Sequence, residues 1–283
     1  MARNGFDMHK LFIVVLGLAA AALVLWVVRN GLDFYTTPLI DRPHNPDYRE
    51  FRPAGRVGHG IGILGSLMII MLLLYSLRKR SALMRNWGNI GHWLRYHIFL
   101  GVAGPILITL HTSFKFQGLV SVSYWSMVAV ALSGVFGRYL YQQLPRNVLG
   151  EQMAPGTADE RREEILVLLS EDPAFNDATL ARLEALALDR LEGRSAPIAL
   201  LRLPLLNAAL VSQLHSRMSG VRGTAFDLAR EWVLLTRRLH LFNAVRDLFH
   251  WWHVFHKPFA VIMILVMIVH VGVTVVLGYT WIW

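Results

Sequence analysis

The sequence contains no cysteine. This absence excludes disulfides, cysteine-ligated iron–sulfur clusters and covalent attachment of haem through a Cys-x-x-Cys-His motif. Acidic residues are also scarce, with 19 Asp and Glu against 28 Lys and Arg, which gives a formal net charge of +9. Apolar residues make up 54% of the chain, the mean hydropathy is +0.42, and these residues lie in blocks. Such a composition indicates an integral membrane protein and not a soluble domain with a large core.

Five apolar blocks are long enough to cross a bilayer as helices. The sequence therefore predicts an all-α integral membrane protein with a bundle of about five transmembrane helices. The first block could be mistaken for a signal peptide, but we expect it to be a retained span. The predicted spans are residues 11–28, 57–77, 93–113, 122–143 and 254–277.

Positive charge is distributed unevenly between the two sides of this topology. Of the 28 Lys and Arg residues, 22 fall on one side of a five-span chain and 6 on the other. By the positive-inside rule the N-terminus is cytoplasmic and the C-terminus is outside, as expected in the inner membrane of a bacterium. The basic surplus is explained by this orientation, and no nucleic-acid recognition motif accompanies it, so we expect no nucleic-acid partner.

Three segments organise the chain: residues 1–143 carry the first four spans, residues 144–250 form an insertion, and residues 251–283 carry the fifth span. The insertion has helical periodicity. We predict a cytoplasmic helical subdomain that lies against the membrane.

Helix starts and stops subdivide the insertion. Helices are predicted at 158–169 and at 177–191, the second stopping at Gly193. Thr224 and Asp227 resemble a capping box that opens a helix running to about Phe249. The apolar stretch 196–214 contains an arginine and a proline, which favours an interfacial helix over a sixth span.

Four histidines inside the apolar blocks carry the strongest functional signal. His97 and His111 lie in the third span, His256 and His270 lie in the fifth, and 14 residues separate the members of each pair. Fourteen helical steps advance about 21 Å and return to within about 40° of the starting face. Two such helices side by side offer opposed imidazoles at two depths, which is what two stacked haems require.

In this arrangement His97 and His256 would hold the inner haem, and His111 and His270 the outer one. Both would be haem b, since covalent attachment is excluded. Were 196–214 to span the membrane, the final helix would reverse and the pairs would become His97–His270 and His111–His256. The competing interpretation is structural, because histidines also hydrogen-bond across transmembrane helices.

Several further residues are candidates for the site. Haem propionates need cationic partners, although each candidate cation could equally be an interfacial anchor. Arg95, Arg138 and Lys257 lie near the inner face, and Lys115 and Arg56 near the outer face. Gly101 and Gly104 lie between the third-span ligands, where a flat porphyrin needs close backbone approach.

His59, at the outer start of the second span, could line a quinone site, ligate a third haem or simply pack. His253 is a poorer ligand than His256, since it lies about 100° off the face of His270. The letters Gly60-x-Gly62-x-x-Gly65 match a dinucleotide fingerprint, but no strand precedes them. Together with Gly58 they instead predict a small-residue stripe for helix packing.

The doubled histidine spacing in the third and fifth spans resembles the transmembrane core of the ferric reductase and NADPH oxidase family. The resemblance covers roughly 57–143 and 250–280 and implies two haems bound across the membrane by paired histidines on these helices. Three features depart from the family: we recognise no flavin and NADPH domain in this sequence, residues 144–250 have no recognised equivalent, and the expected sixth span is missing.

From these observations we expect a di-haem b-type cytochrome subunit that moves electrons between a cytoplasmic partner and an outer acceptor. The donor would be a separate flavin, iron–sulfur or cytochrome c carrier, docking on the insertion. The first alternative is a quinone-reactive cytochrome b anchor of a larger oxidoreductase, and the second is a non-redox membrane scaffold or assembly factor.

Overall fold

The computed structural model describes residues 8–84, 86–118, 120–144, 155–188, 196–217, 221 and 223–279, and this part of the chain contains helices and no strand. A 3₁₀ turn lies at Arg42–His44. The helices are α1 (Met8–Thr36), α2 (Tyr48–Phe51), α3 (Arg56–Arg80), α4 (Ile90–His111), α5 (Val120–Gln143), α6 (Pro155–Ser170), α7 (Asp177–Leu188), α8 (Ala196–Arg217), α9 (Thr224–His240) and α10 (Phe242–Val276).

Five of the described helices are long and apolar enough to cross a membrane: α1, α3 together with α2, α4, α5 and α10. These are the five spans that the sequence predicts, so the all-α transmembrane bundle is confirmed. The final helix has 35 residues, roughly 52 Å, whereas the hydrocarbon core of a bilayer is only about 30 Å thick.

The chain divides into two compact units. Unit 1 comprises Met1–Val135 and Phe255–Trp283 and therefore contains α1 to α4, most of α5 and most of α10. Unit 2 comprises Phe136–Val254 and contains α6 to α9 with the adjoining ends of α5 and α10.

The centre of unit 1 is an antiparallel pair formed by α3 and α4. Small residues let the two backbones approach closely, since a Cβ placed on Gly65 would lie 3.3 Å from the carbonyl oxygen of Gly104. Ile69 of α3 and Leu107 of α4 are both fully buried in this contact region. The glycine stripe predicted for helix packing is therefore confirmed at Gly65.

The remaining long helices of unit 1 pack around this pair. Ile69 of α3 forms one buried cluster with Met127 of α5 and with Met263 and Met267 of α10. The Ser123 hydroxyl of α5 donates to the carbonyl of Met263 at 2.9 Å, which brings these two helices together. Outside this core the surface is strongly apolar, as a lipid-facing surface must be.

Unit 2 has its own hydrophobic core. The amphipathic helix α9 buries Trp232 and Val233 against α6, α7 and α8. Arg237 of α9 is only 3% exposed, and its guanidinium donates to the carbonyls of Ala187 and Leu206 at 2.7 and 3.0 Å. A buried cation needs such acceptors, so Arg237 joins the end of α7 to the middle of α8.

Within α8, a proline is accommodated by a specific hydrogen bond. Pro204 has no N–H, so the carbonyl of Leu200 loses its usual helical donor. The hydroxyl of Tyr139 donates to that carbonyl. The polar group that proline would leave buried and unsatisfied thus has a partner.

Two predictions for the insertion differ from the structure, and a third cannot be compared with it. The residue that caps α9 is Gly223, with a φ of 73° and no side-chain cap, so the predicted capping box of Thr224 and Asp227 is wrong. This helix ends at His240 and not near Phe249. The predicted stop at Gly193 lies outside the described residues.

The apolar stretch 196–214 lies in α8. α8 is not among the five described helices that could cross a membrane. Its leucines Leu203, Leu210 and Leu214 are buried in the core of unit 2. Packing inside unit 2 accounts for these buried leucines, whereas Leu205 of the same helix is 74% exposed, and the interfacial position stays a prediction.

Candidate functional site

The two histidines of α4 are held by backbone carbonyls of α3. The Nδ1 atom of His111 lies 2.8 Å from the carbonyl oxygen of Gly58, and Nδ1 of His97 lies 3.3 Å from that of Leu72. Leu72 follows Gly58 by 14 positions, the same spacing that separates the two histidines. The antiparallel helix pair therefore repeats one anchoring arrangement at two depths.

These hydrogen bonds fix which ring nitrogen carries the proton. A carbonyl oxygen can only accept, so Nδ1 of His97 and of His111 must be the protonated nitrogen. In a neutral imidazole the other nitrogen, Nε2, then presents its lone pair. Metal-binding histidines commonly donate their second ring N–H to a carbonyl in this way, which sets both tautomer and ring orientation.

The ring of His111 lies directly against Gly62 of α3. A Cβ placed at Gly62 would come within 2.7 Å of the His111 Cε1 atom, so only glycine leaves room for this ring. Gly58 and Gly62 are both buried. The sequence pattern predicted close helix packing here, and the structure adds a more specific role, the seating of a histidine.

The histidines of α10 have different surroundings. Nδ1 of His256 lies 2.8 Å from the Ser133 hydroxyl of α5, and that hydroxyl also donates to the Val130 carbonyl at 2.9 Å. A hydroxyl has one proton, so Ser133 accepts from Nδ1–H of His256, which again gives the tautomer with the Nε2 lone pair. Gly134 lies next to the same ring, 4.0 Å from Cε1 to the position of a Cβ.

The contacts of α5 show how α4 and α10 run. Near its start, Tyr124 lies 3.4 Å from Thr109 of α4 (hydroxyl to hydroxyl), and Ser123 contacts Met263 of α10. Farther along α5, Ser133 contacts His256, which precedes Met263 in α10. Therefore α5 is antiparallel to α10, α4 and α10 run the same way, and the prediction of parallel histidine helices is confirmed.

We name the two ends of this bundle the His97 end and the His111 end. His256 lies toward the His97 end, and His270 lies toward the His111 end. His59 at the start of α3, His111 at the end of α4 and His270 of α10 therefore lie at the same end of unit 1.

The other histidines make contacts of different kinds. His253 makes a hydrogen bond from Nδ1 to the carbonyl of Phe249, 2.8 Å away on its own helix. His92 contacts His9 of α1, with ring centroids 3.9 Å apart and the ring planes tilted by 37°. The sequence gave no reason to single out His9, because it lies before the first predicted span.

The glycines predicted to flank a porphyrin face α3 instead. A Cβ on Gly104 would contact Met68 and Ile69 at 3.3 and 3.4 Å, and one on Gly101 would lie 3.8 Å from Leu72. The expected role of Gly104 beside a porphyrin is therefore wrong. Its small size serves the helix pair that holds the histidines.

The candidate propionate partners differ in exposure. Lys115, Lys257 and Arg56 are exposed, whereas Arg95 and Arg138 are half-buried. Within unit 2 the Arg138 guanidinium lies 5.8 Å from the ring centroid of Tyr141. The propionate assignments stay predictions.

A buried arginine, Arg42, supports the His111 end. The sequence alone does not distinguish it from exposed arginines. Arg42 is 4% exposed and donates to the carbonyls of Tyr35 (2.8 Å), Thr37 (2.9 Å) and Ser113. Burial lowers the pKa of its guanidinium from the ordinary value. Since Ser113 follows His111 by two residues, Arg42 fixes the end of α4 that carries this histidine.

The described histidines do not form a compact metal site. The described residues contain no group of three or more His, Cys, Asp or Glu that could hold a metal ion. A haem needs only axial ligands from the protein, and a pair of imidazoles suffices. Three of the four predicted ligands have the tautomer that axial ligation through Nε2 requires.

One prediction follows for Ser133. Replacing it by alanine removes the acceptor that orients His256. If His256 ligates haem, as the sequence predicts, haem retention should weaken by about tenfold to a hundredfold, as for other outer-shell partners of metal ligands. The measurement is haem loss from the purified protein to apomyoglobin. Ser121→Ala, at the start of the same helix, is the control and should lose haem at the wild-type rate. Equal retention in both variants would contradict the orienting role.

Comparisons of this chain with protein-family models, with curated proteins and with solved structures found no match.

Proposed function

We propose that this chain is a di-haem b-type cytochrome subunit that moves electrons across the membrane, similar to the transmembrane core of ferric reductases and NADPH oxidases. The observation that carries the proposal is the two-level arrangement of α4 on α3. His97 and His111 are each anchored through Nδ1, at carbonyls with matching spacing. Histidines that serve only as structural glue would not need the same 14-residue spacing in α4 (His97, His111) and α10 (His256, His270).

The haems, when bound, supply reversible one-electron chemistry, and the chain supplies their position. His97 and His256 would hold one haem, and His111 and His270 the other. The carbonyls of Leu72 and Gly58 and the hydroxyl of Ser133 hold three of these imidazoles in one tautomer. The apolar helices around them keep water away, which lowers the local dielectric and tunes the potential.

The direction of the protein in the membrane is part of the proposal. The excess of Lys and Arg places the His97 end on the cytoplasmic side of a bacterial inner membrane. The sequence carries no flavin or nucleotide motif that we recognise, so electrons would come from a flavin, iron–sulfur or cytochrome c carrier. Such a partner would dock on residues 144–250.

Electron transfer across a sealed membrane tests this function. Liposomes containing the purified protein and trapped ferricyanide are given dithionite outside. We expect the trapped ferricyanide to be reduced through the wild-type protein. His97→Leu should slow the reaction to the rate of protein-free liposomes, because one of two consecutive haems is lost. Transfer at the wild-type rate in His97→Leu would contradict the proposal.

A second candidate function has one observation in its favour. A quinone-reactive cytochrome b anchor would need a pocket for a lipid-soluble ring beside one haem. A partly open cavity borders His97 on the side of α1 and α3.

A further inference from the structure

Within unit 1, a cavity of about 470 Å³ lies between α1, α3 and α4 at the His97 end. Its volume falls within the range of pockets that bind small organic molecules. The walls are mostly apolar and aromatic, and they include His9, Tyr75, Trp87, Trp93, Tyr96 and His97.

Polar groups are concentrated at one place in this wall. Nδ1 of His9 lies 2.9 Å from the Tyr96 hydroxyl, and the His9 ring contacts His92 in a tilted arrangement. A phenol and an imidazole can each donate or accept a hydrogen bond, depending on where their protons lie. A ligand that alternates between carbonyl and hydroxyl oxygens would find a suitable partner here in either form.

The shape of the wall favours a flat ring. Tyr75, Trp87 and Trp93 present aromatic surface, and flat aromatic groups pack well against one another in offset or edge-on contacts. Trp87 is 57% exposed, so the cavity lies near the surface of the bundle. The surrounding surface of α1 and α3 is apolar, with Leu18 and Leu67 exposed, which suits entry of a ligand from lipid.

His97 itself forms part of the wall. The carbonyl of Leu72 holds its Nδ1 edge against α3, and the ring of Tyr75 lies 4.9 Å away between centroids. A ligand in the cavity would therefore contact the imidazole that is proposed as an axial ligand.

We propose that this cavity binds the headgroup of a quinone, with the His9–Tyr96 pair as its hydrogen-bonding partner. The proposal rests on the proposed function, since it names the lipid-soluble carrier with which the cytochrome would exchange electrons. It places the quinone at the His97 end, whereas the sequence offered a quinone role for His59 near the His111 end.

Photolabelling with an azido-ubiquinone in lipid nanodiscs tests the proposal without relying on activity. We expect labelled peptides from residues 71–100 and protection by an excess of decylubiquinone. Leu16→Trp places an indole into the cavity and should weaken quinone binding by about tenfold or more. Tyr96→Phe removes one hydrogen bond and should weaken binding by about threefold to tenfold.

Leu18→Trp is the matched control, because Leu18 lies on the same helix, is 67% exposed and does not line the cavity. It should label as the wild type does. Unprotected labelling spread over the lipid-facing helices, or equal labelling of Leu16→Trp and Leu18→Trp, would overturn the quinone site. Haem content measured on the same samples separates the two proposals. Two haems without protected labelling would contradict the quinone site alone, and protected labelling without haem would contradict the cytochrome alone.

Discussion

Replacing His256 by leucine is expected to lower the haem content of the purified protein from about two to about one per chain. The reason is that the haem proposed to lie between His97 and His256 would lose one of its two axial ligands, while the haem proposed for His111 and His270 would keep both. Leucine suits the apolar span, so the helix itself should persist. The measurement is pyridine haemochrome analysis together with protein quantification.

His253→Leu is the control for this experiment. His253 lies one helical turn earlier, and its Nδ1 bonds to its own helix at Phe249. This variant should retain about two haems. Loss of both haems in His256→Leu would indicate general unfolding, which size-exclusion chromatography would reveal. Retention of both haems by a well-folded His256→Leu protein would show that His256 is not a ligand.

Enlarging Gly62 should abolish haem binding at the His111 end although no ligand is changed. In Gly62→Val, the added Cβ would lie 2.7 Å from Cε1 of His111, so the imidazole must leave its position. Its hydrogen bond to the Gly58 carbonyl would be lost at the same time. We expect about one haem per chain, with the remaining haem at the His97 end.

Gly101→Ala provides the comparison. The nearest atom to its added Cβ is Leu72 Cδ2 at 3.8 Å, an ordinary contact, so haem content should not change. Combining Gly62→Val with His256→Leu should leave no haem, since each variant removes a different one. A Gly62→Val protein with two haems of unchanged spectrum would contradict the seating of His111 described above.

The transmembrane architecture could be predicted because it depends on one-dimensional properties. A helix that crosses a bilayer must satisfy its own backbone and present apolar side chains over about twenty residues, and both requirements are visible in the sequence. The predicted span 57–77 corresponds to α3 (Arg56–Arg80), and 93–113 to α4 (Ile90–His111). Differences are confined to the ends, where helices such as α10 continue beyond the apolar block.

The candidate histidines could be selected for the same reason, since their spacing is a property of a single helix. The hydrogen-bond partners of these histidines could not be predicted from the sequence. Every residue has a backbone carbonyl, so the sequence does not single out those of Leu72 and Gly58. Ser133 is one of several serines in α5. Gly62 was recognised as part of a glycine stripe. Such a stripe looks the same in the sequence whether the glycine makes room for a neighbouring helix or for a histidine ring.

Other features were missed or predicted wrongly for the same reason, because they depend on contacts that the sequence does not show. Thr224 has the side chain of a cap, yet Gly223 takes that position with a positive φ that glycine adopts at little cost. Arg42 is one of six basic residues assigned to the outer side, and only the tertiary fold shows that it is buried. The apolarity of 196–214 is compatible both with the core of unit 2, where several of its leucines pack, and with an interfacial position, which stays a prediction.

The central claim is that two layers of paired histidines hold two haems, and its most direct measurement is made on the wild-type protein. Pyridine haemochrome analysis gives haems per chain, and electron paramagnetic resonance of the same oxidised sample gives their ligation. The account predicts about two b-type haems, both low-spin and six-coordinate with two imidazoles. A folded protein with no haem, with only one, or with high-spin iron would contradict it.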